Sequence, residues 1–589
     1  MKKMGILASF LFMLLLAGCA GNAIPGANDC RVVLEEGEGF SCSDHVQIVS
    51  RGRDVTFYLR PLDGYEITGS DYENTTISDS QEGGTLVTLH EVRYSTVVTL
   101  TVKKSDTILQ YHYNDGSKQE PAQVPVTPSH LRWNTATALF SREGYTLLGW
   151  NTRPDGSGVA VGLGSRIDPR EGPDLYAQWS RWSDPALFRW ETGSNGAVIT
   201  AYLGAEETVT VPARLDGQPV TAIASYAFEN AACHTVILPN TLHILEADAF
   251  RNATLSELYL FDNIRLIGEP GTPIETLHLN AYELPVYSGT YYDTFQDKYD
   301  RLLQLKSQKK IVLFSGSSTR FGFDSAMLAE AFPDYEIVNM GVFAYTNAMP
   351  QMDLILDCMQ SGDILIHMPE FDTSKKQFCT TTDLDEAFFN MMESNYDTLT
   401  ALDLRRYTNV FPALEAYLTT RESMVKRSYS VSAWDYDEDG TPVDTPSYNV
   451  YGDYTVYRPN AASKLPVYGM PVPYTIAAFP EEPFITSINR VYQQFLDVGI
   501  TVYFTYSPRN ALAISDDSTP EARAALDAYF REKLCVPVLS ALEDSLWSGI
   551  YLYGTDNHLS TEGVDIHTRR IIPLIRSQME ADGLEDYDG

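Results

Sequence analysis

The hydrophobic pattern of the chain changes at about residue 291. Before that point, apolar and polar residues alternate in short runs, as at 55–59 and 96–102, which is typical of strands with one buried face. After it, continuous apolar runs such as 311–314 alternate with segments of helical period such as 348–360. Strands buried on both faces and separated by helices predict a mostly parallel sheet between two helical layers. We therefore expect a multidomain chain, with N-terminal all-β modules and a C-terminal α/β/α three-layer domain.

Three modules are predicted in the all-β part. Residues 30–104 have the pattern of a small antiparallel sandwich. Residues 195–285 contain an internal repeat in which Phe228 returns as Phe250, and such units stack into a short solenoid because one unit cannot bury its apolar face alone. This repeat resembles the BspA-type leucine-rich repeat. Only two or three units are present, so we expect the repeat array to be stabilised by packing against the adjoining modules.

Residues 105–181 carry a pattern of aromatic residues and glycine turns. The segments 140–151, 154–158 and 175–179 resemble the Listeria–Bacteroides repeat, which is related to the internalin B-repeat and implies a small β-grasp-like fold. The aromatic side chains are expected in the core of this module: Tyr145, Trp150, Tyr176 and Trp179. Modules of this kind act as spacers or adhesion units on bacterial surfaces.

Composition and charge limit the classes of partner. The 589 residues are 44% hydrophobic and 21% charged, as in a folded protein, and 43 basic against 78 acidic residues give a net charge of −35. Such a surface repels nucleic acid and anionic lipid, and no basic patch is present in the sequence. Nucleic acid is therefore not an expected partner.

The first nineteen residues have the pattern of an export signal. A basic start is followed by an apolar run at 6–16 that is too short for a transmembrane helix, and Leu16-Ala17-Gly18-Cys19 resembles a bacterial lipobox. The resemblance implies lipidation of Cys19, a tether at 20–29 and a protein anchored to the membrane at the cell surface, outside the cytoplasm. An ordinary secretion signal or an uncut membrane anchor are the alternatives.

No cofactor or metal is expected. The cysteines show no zinc-ligand spacing, although Cys30 could pair with Cys42 and Cys358 with Cys379. The acidic stretch that begins at Asp435 starts like a calcium-binding loop, but its twelfth position is Pro446.

Two segments carry the residues needed for acyl transfer. Ser317 follows a buried strand at a glycine, and Asp556 and His558 lie just ahead of the final helix. A serine is a weak nucleophile until a base takes its proton, and a carboxylate can orient that base. Ser317 is the candidate nucleophile, His558 the base and Asp556 the orienting acid.

These segments are similar to the SGNH (GDSL-like) hydrolase superfamily. Ser315-Gly316-Ser317-Ser318 stands where that family has its nucleophile block, Asn339-Met340-Gly341 matches the second block and residues 558–563 match the last. The resemblance covers residues 291–582 and implies a flavodoxin-like sheet with an insertion at 372–480. It also implies that the N–H groups of Ser317 and Gly341 form an oxyanion hole.

The chain departs from the family pattern in two places. The strand at 363–368 runs into Pro369 and Glu370, where the family has an asparagine that donates to the oxyanion. The acid of the family stands three residues before the histidine, but Thr555 occupies that position here. Either Asp556 orients His558 after a change of register, or Ser317 and His558 work as a dyad without an acid. Arg509 and Asn510, at the same sheet edge, are candidate substrate contacts or oxyanion donors.

We therefore expect a surface-anchored serine esterase or O-acyltransferase of the SGNH type. Its expected substrate is an acyl ester, foremost acetyl, on a cell-wall or extracellular glycan. The alternative is a non-catalytic adhesin in which a degenerate hydrolase domain and the repeats bind a glycan or a host or cell-surface protein.

Overall fold

The computed structural model describes residues 29–584, with gaps at 36, 38, 43–44, 63–64, 80–84, 105–106, 127–132, 138, 169–173, 284–293, 372–380, 424–447 and 467–470. Cys19, nearly all of the tether, Cys379 and the acidic stretch from Asp435 lie outside these residues. The described chain forms two compact units. The first comprises the residues up to Leu109 and a short stretch that begins at Gln123. The second comprises Gln110–Ala122 and the described residues after 132.

The first unit is built from strands that enclose a small apolar core. They are β1 (Asp29–Leu34), β2 (Phe40–Ser41), β3 (Val46–Ser50), β4 (Arg53–Pro61), β5 (Tyr65–Ser70), β6 (Thr75–Asp79), β7 (Thr85–Val92), β8 (Thr96–Val98) and β9 (Leu100–Lys104). The sheets are β3-β1-β8, β2-β4-β7-β6 and β5-β9, and β1 pairs with β8 in parallel. Alternate residues of β4, such as Val55 and Phe57, point into the core.

The predicted disulfide between Cys30 and Cys42 is absent from this core. Both side chains are buried thiols, and Cys30 Sγ lies 3.8 Å from the carbonyl oxygen of Val92. Each sulfur packs in the same apolar cluster as a small hydrophobic side chain.

A five-stranded sheet and a two-stranded ribbon come next along the chain. Their strands are β10 (Ile108–His112), β11 (Ala122–Pro125), β12 (Trp133–Asn134), β13 (Tyr145–Asn151), β14 (Ala160–Val161), β15 (Arg166–Ile167) and β16 (Asp174–Arg181). Trp150 is buried, and its indole N–H donates to the carbonyl of Ala136 at 2.8 Å. Tyr145, Tyr176 and Trp179 are only half-buried, so three of the four expected core aromatics lie at the core boundary.

Two parallel ladders with a repeat of 22 residues follow. Their strands are β17 (Phe188–Thr192), β18 (Ala197–Tyr202), β19 (Thr208–Thr210), β20 (Arg214–Leu215), β21 (Gln218–Ile223), β22 (Thr235–Ile237), β23 (Ile244–Leu245), β24 (Glu257–Phe261), β25 (Leu266–Ile267) and β26 (Thr276–Asn280). Ala222 pairs with Ile244, and Ile244 pairs with Leu266, each 22 residues on. The rings of Phe228 and Phe250 pack at a tilt with centroids 5.1 Å apart, which joins neighbouring turns of the solenoid in the core.

The rest of the chain alternates between helices and strands. The elements are α1 (Thr294–Gln304), β27 (Lys310–Phe314), α2 (Ser317–Arg320), α3 (Ser325–Ala331), β28 (Glu336–Asn339), α4 (Ala348–Asp357), β29 (Ile364–His367), α5 (Glu386–Met392), α6 (Val410–Ser423), α7 (Thr486–Asp497), β30 (Thr501–Phe504), β31 (Arg509–Asn510), α8 (Pro520–Lys533), β32 (Leu546–Trp547) and α9 (Thr561–Ala581). The parallel sheet has the order β28-β27-β29-β30.

Successive residues of β27 enter two different hydrophobic clusters. Val312 and Phe314 join a cluster that includes residues of α1, α4 and α7. Ile311 and Leu313 join another that includes residues of α3 and α9. Because the side chains of a strand alternate between its faces, the sheet has apolar packing on both sides. The coarse prediction of a multidomain chain with several parallel sheets and separate helices is confirmed.

The insertion packs in two places. Its first part lies against the repeat module: Arg421 forms an ion pair with Asp262, and Glu415 accepts from the N–H of Ile267 at 3.2 Å. Its later part reaches the carboxyl edge of the sheet, where Asp453 accepts from the side chain of Asn339 at 2.8 Å. The first part therefore ties the α/β domain to the repeats.

Among the helices in the described part of the chain, none has both the length and the apolar character needed to cross a bilayer.

Removing the buried charge at the start of β27 should destabilise the α/β domain. Lys310 Nζ lies 2.6 Å from Asp363 Oδ2, and both side chains are fully buried. Lys310→Met leaves that carboxylate without its cation and should cost about 3–5 kcal/mol in denaturant titrations of the full chain. Lys310→Met with Asp363→Asn should recover most of the loss, because asparagine removes the charge and keeps an acceptor for the backbone N–H of Lys310. The exposed Lys309→Met is the control. A cost below about 1 kcal/mol for the single change would contradict this assignment.

Candidate active site

The carboxyl ends of β27, β28 and β29 converge at one edge of the sheet. Across the sheet the strands lie in the order β28-β27-β29-β30, so the chain leaves β27 toward one edge of the sheet and β29 toward the other. The helices that follow these two strands therefore lie on opposite faces. A crevice forms between two such strands because their connections diverge. Ser317 follows β27 and Glu370 follows β29, on the two sides of this switch point.

Ser317 and His558 meet at this edge. Ser317 Oγ lies 2.8 Å from His558 Nε2, within hydrogen-bond distance for a proton transfer. Ser317 is 5% exposed and is the first residue of α2. The two residues are 241 positions apart in the sequence, so only the folded sheet brings them together.

Thr555 holds the backbone of the loop that carries His558. Its Oγ1 accepts from the N–H of His558 at 2.9 Å and from the N–H of Asn557 at 3.2 Å. Two residues after His558, Ser560 caps α9 by accepting from the N–H of Gly563 at 3.1 Å. A threonine at the position where an acid was expected therefore shapes the loop.

Asp556 connects this loop to another one. It is buried, and its Oδ1 accepts from Asn510 Nδ2 at 3.2 Å, while its backbone carbonyl accepts from the N–H of Asn510 at 2.7 Å. Arg509, beside Asn510, donates to the carbonyl of Ala513 at 3.2 Å. The structure thus joins Asp556 to Asn510, and the ring of His558 to Ser317. The orienting role of Asp556 and the substrate contacts of Arg509 and Asn510 stay predictions.

Glu370 is a site residue that the sequence pattern did not predict, because it stands where an asparagine was expected. Its Oε1 lies 3.1 Å from Ser317 Oγ and accepts from the N–H of Ser318 at 2.6 Å. Its Oε2 accepts from the side-chain amide of Asn557. The carboxyl group is buried against the nucleophile, with three potential donors around it. The only feature of the sequence that could have indicated a role for Glu370 in the site is its position three residues after β29.

Two glycines permit the close packing of backbone at this edge. A Cβ on Gly316 would lie 2.7 Å from the backbone of Ala344 and 2.8 Å from Glu370 Oε1. A Cβ on Gly341 would lie 2.3 Å from the backbone nitrogen of Arg320. The N–H of Gly341 donates to Asn339 Oδ1 at 3.0 Å, so its use as an oxyanion donor stays a prediction.

Burial and two cations keep His558 neutral. Burial, together with the charges of Arg320 and Arg458, lowers the pKa of His558 to about 3. Phe321 packs on the ring, with centroids 4.3 Å apart. Arg458 belongs to the insertion and donates to the carbonyl of Leu559 at 2.9 Å, beside the histidine. His558 is therefore in its proton-accepting form at neutral and mildly acidic pH.

Within the described residues, no group of three or more histidine, cysteine, aspartate or glutamate side chains is arranged to hold a metal ion.

The low histidine pKa values should make the domain less stable in acid. The pKa of buried His567 is also lowered, to about 4, and its Nδ1 lies 2.7 Å from the carbonyl of Gly322. Below about pH 6.5 the unfolded chain binds protons that the folded chain does not, so the free energy of unfolding should fall by up to about 1.4 kcal/mol per pH unit for each histidine.

Denaturant titrations between pH 7 and pH 4 measure this slope. His567→Gln should reduce the slope by about 1 kcal/mol per pH unit, whatever its effect at pH 7. The exposed His234→Gln is the control and should leave the slope unchanged. An unchanged slope in His567→Gln would show that His567 is already protonated in the folded state.

Comparison with known proteins assigns this chain to no family. No family model matches it, and no curated protein matches it. Among solved structures, a leucine-rich repeat protein of T. pallidum is similar at 16% identity, over 16% of this chain and 71% of that chain, with a TM-score of 0.12. This likeness to a leucine-rich repeat protein is weak and does not bear on the site at Ser317.

Proposed function

We propose that residues 294–584 form an SGNH-like serine esterase or O-acyltransferase whose nucleophile is Ser317. The observation that carries the proposal is the 2.8 Å contact between Ser317 Oγ and His558 Nε2 at the carboxyl edge of a parallel sheet. A buried serine beside a neutral histidine is the pair that acyl transfer requires. That the protein works at a cell surface, anchored through Cys19, rests on the sequence alone.

The reaction follows from the roles of these atoms. Ser317 Oγ attacks the acyl carbon of an ester while His558 Nε2 takes the serine proton. His558 then gives that proton to the oxygen of the leaving alcohol. Water completes hydrolysis of the acyl-enzyme, and a sugar hydroxyl in place of water completes transfer. The N–H of Ser317, in the first turn of α2, is directed away from any intrahelical acceptor and would serve the oxyanion. Gly341 would have to release Asn339 to add a second donor.

Exposed tyrosines next to the site favour an extended substrate such as a glycan. Tyr345, Tyr457 and Tyr553 are 50%, 74% and 42% exposed. Tyr553 donates its backbone N–H to the carbonyl of His558, and Tyr457 precedes Arg458. Tyrosine offers an apolar face and a polar tip, which suits the mixed surface of a sugar ring.

The rival function is a non-catalytic adhesin. The observation that favours it is the carboxyl group of Glu370 beside Ser317, because an ionised carboxylate opposes an oxyanion at the same place. The two functions differ in whether Ser317 reacts.

Labelling with a fluorophosphonate serine probe should decide between them. Wild-type protein should be labelled, and Ser317→Ala and His558→Ala should each lose at least about 99% of the labelling rate. Ser157→Ala is the control, because Ser157 is exposed and has a carboxylate partner, Asp155, at 2.7 Å. Absence of labelling of the folded wild type from pH 5 to 8 would favour the adhesin.

The tyrosines should affect a large substrate and leave a small one unchanged. Tyr345→Ala and Tyr553→Ala should each raise the KM for an acetylated oligosaccharide about threefold to tenfold. The kcat/KM for p-nitrophenyl acetate should stay within about twofold, because that ester is too small to reach them. Tyr94→Ala, in the first unit and 61% exposed, is the control. Equal losses on both substrates would place the tyrosines in support of the fold and not in binding.

A further inference from the structure

The hydroxyl of Ser317 has one proton and two neighbours that can take it. His558 Nε2 lies 2.8 Å from Ser317 Oγ, and Glu370 Oε1 lies 3.1 Å from the same atom. A serine hydroxyl donates one hydrogen bond, an ionised carboxylate only accepts, and a neutral imidazole nitrogen either donates or accepts. The protonation state of Glu370 therefore decides which way the serine proton points.

An ionised Glu370 fixes an unproductive arrangement. The carboxylate must then accept from Ser317, as it does from the N–H of Ser318 at 2.6 Å. The Ser317 oxygen is left to accept from His558, so Nε2 carries the hydrogen and has no lone pair for the serine proton. The negative charge also stands where the acyl oxygen becomes an anion, which raises the barrier to attack.

A neutral Glu370 reverses each of these effects. Its O–H donates, the serine proton is free to point at Nε2, and His558 takes the tautomer that accepts it. The carboxylic acid then offers a donor to the developing oxyanion, as a neutral acid does in other oxyanion holes. An amide at this position would do the same at every pH.

We propose that Glu370 is a catalytic residue that acts as a neutral carboxylic acid and that its ionised form holds the Ser317 site inactive. The proposal rests on the proposed function of Ser317, since it concerns the same reaction. It makes the acyl transfer faster in mild acid than at neutral pH.

The reaction step balances with this assignment. The O–H bond of Ser317 breaks and its proton passes to His558 Nε2, while Oγ forms a bond to the acyl carbon. The carbonyl electron pair moves onto its oxygen, which accepts from Glu370. When the pair returns, the bond to the leaving alcohol breaks, and that oxygen takes the proton from His558.

The groups around Glu370 keep the base usable in acid. His558 remains neutral well below pH 6 because of its burial and of Arg320 and Arg458. Burial raises the pKa of Tyr474 to about 12, the charge of Arg509 lowers this pKa and that of Glu370 raises it. The charged and titratable groups on the surrounding elements are thus Arg320 on α2, Asp556 and His558 before α9, Arg458 and Tyr474 in the insertion, and Arg509 on β31.

Glu370→Gln tests the proposal because glutamine has the same shape, is always neutral and is a donor. The measurement is the rate constant for fluorophosphonate labelling of the full chain from pH 5 to 8. Wild type should react faster as the pH falls. Glu370→Gln should react about tenfold faster than wild type at pH 7.5 and show little change with pH. Ser317→Ala fixes the background, and Glu370→Asn is the second amide should the glutamine variant fail to fold.

The outcomes separate this proposal from the proposed function. Labelling of wild type with no gain in either folded amide variant at pH 7.5 would overturn the role of Glu370 and leave Ser317 as the nucleophile. Labelling of an amide variant at every pH, with wild type labelled only toward pH 5, would support both, because the carboxylate then holds wild type inactive at neutral pH. No labelling of wild type or of either amide variant at any pH would overturn both.

Discussion

The pairing of β27 with β29 is the constraint on which the rest of the α/β domain depends. The two strands run in parallel with a constant offset of 53 residues. The same offset pairs buried Lys310 with Asp363 at the amino end and Ser317 with Glu370 at the carboxyl end. A slip of one residue would turn every side chain to the other face. The register that satisfies a buried charge at one end therefore also sets the carboxyl group against the serine at the other.

His558 comes from outside this strand pair, and several weak contacts place it. Thr555 and the cap at Ser560 shape its loop, and Arg458 of the insertion donates to the adjacent carbonyl of Leu559. The insertion is itself fixed on the repeat module through Arg421 and Asp262. One hydrophobic cluster continues from the repeats into the sheet. The short repeat array thus shares a core with the domain that carries the site, so its stability and that of the site are coupled.

The sequence was sufficient for those features that depend on local pattern. Continuous apolar runs predicted β27 and β29, and the break at Gly316 predicted a turn that presents Ser317. Contacts between distant loops have no such pattern: the bond from Asp556 to Asn510 depends on how two loops meet across the edge. Half-buried Tyr145 and Tyr176 show the same limit, because aromatic spacing predicts a module but not the depth of each ring. The contact between Glu370 and Ser317 could be obtained only from the register of the strands.

Residue identity alone does not determine whether such a site reacts. A histidine and a carboxyl group both lie within hydrogen-bond reach of one serine here, and the single proton of the serine hydroxyl can go to only one of them. Burial and two arginines remove the charge from His558, and three potential hydrogen-bond donors surround the carboxyl group of Glu370. An ionised carboxylate would retain the serine proton that a neutral base needs. In the proposed mechanism, protonating Glu370 removes this conflict, so one backbone geometry would serve both an inactive and a reactive state.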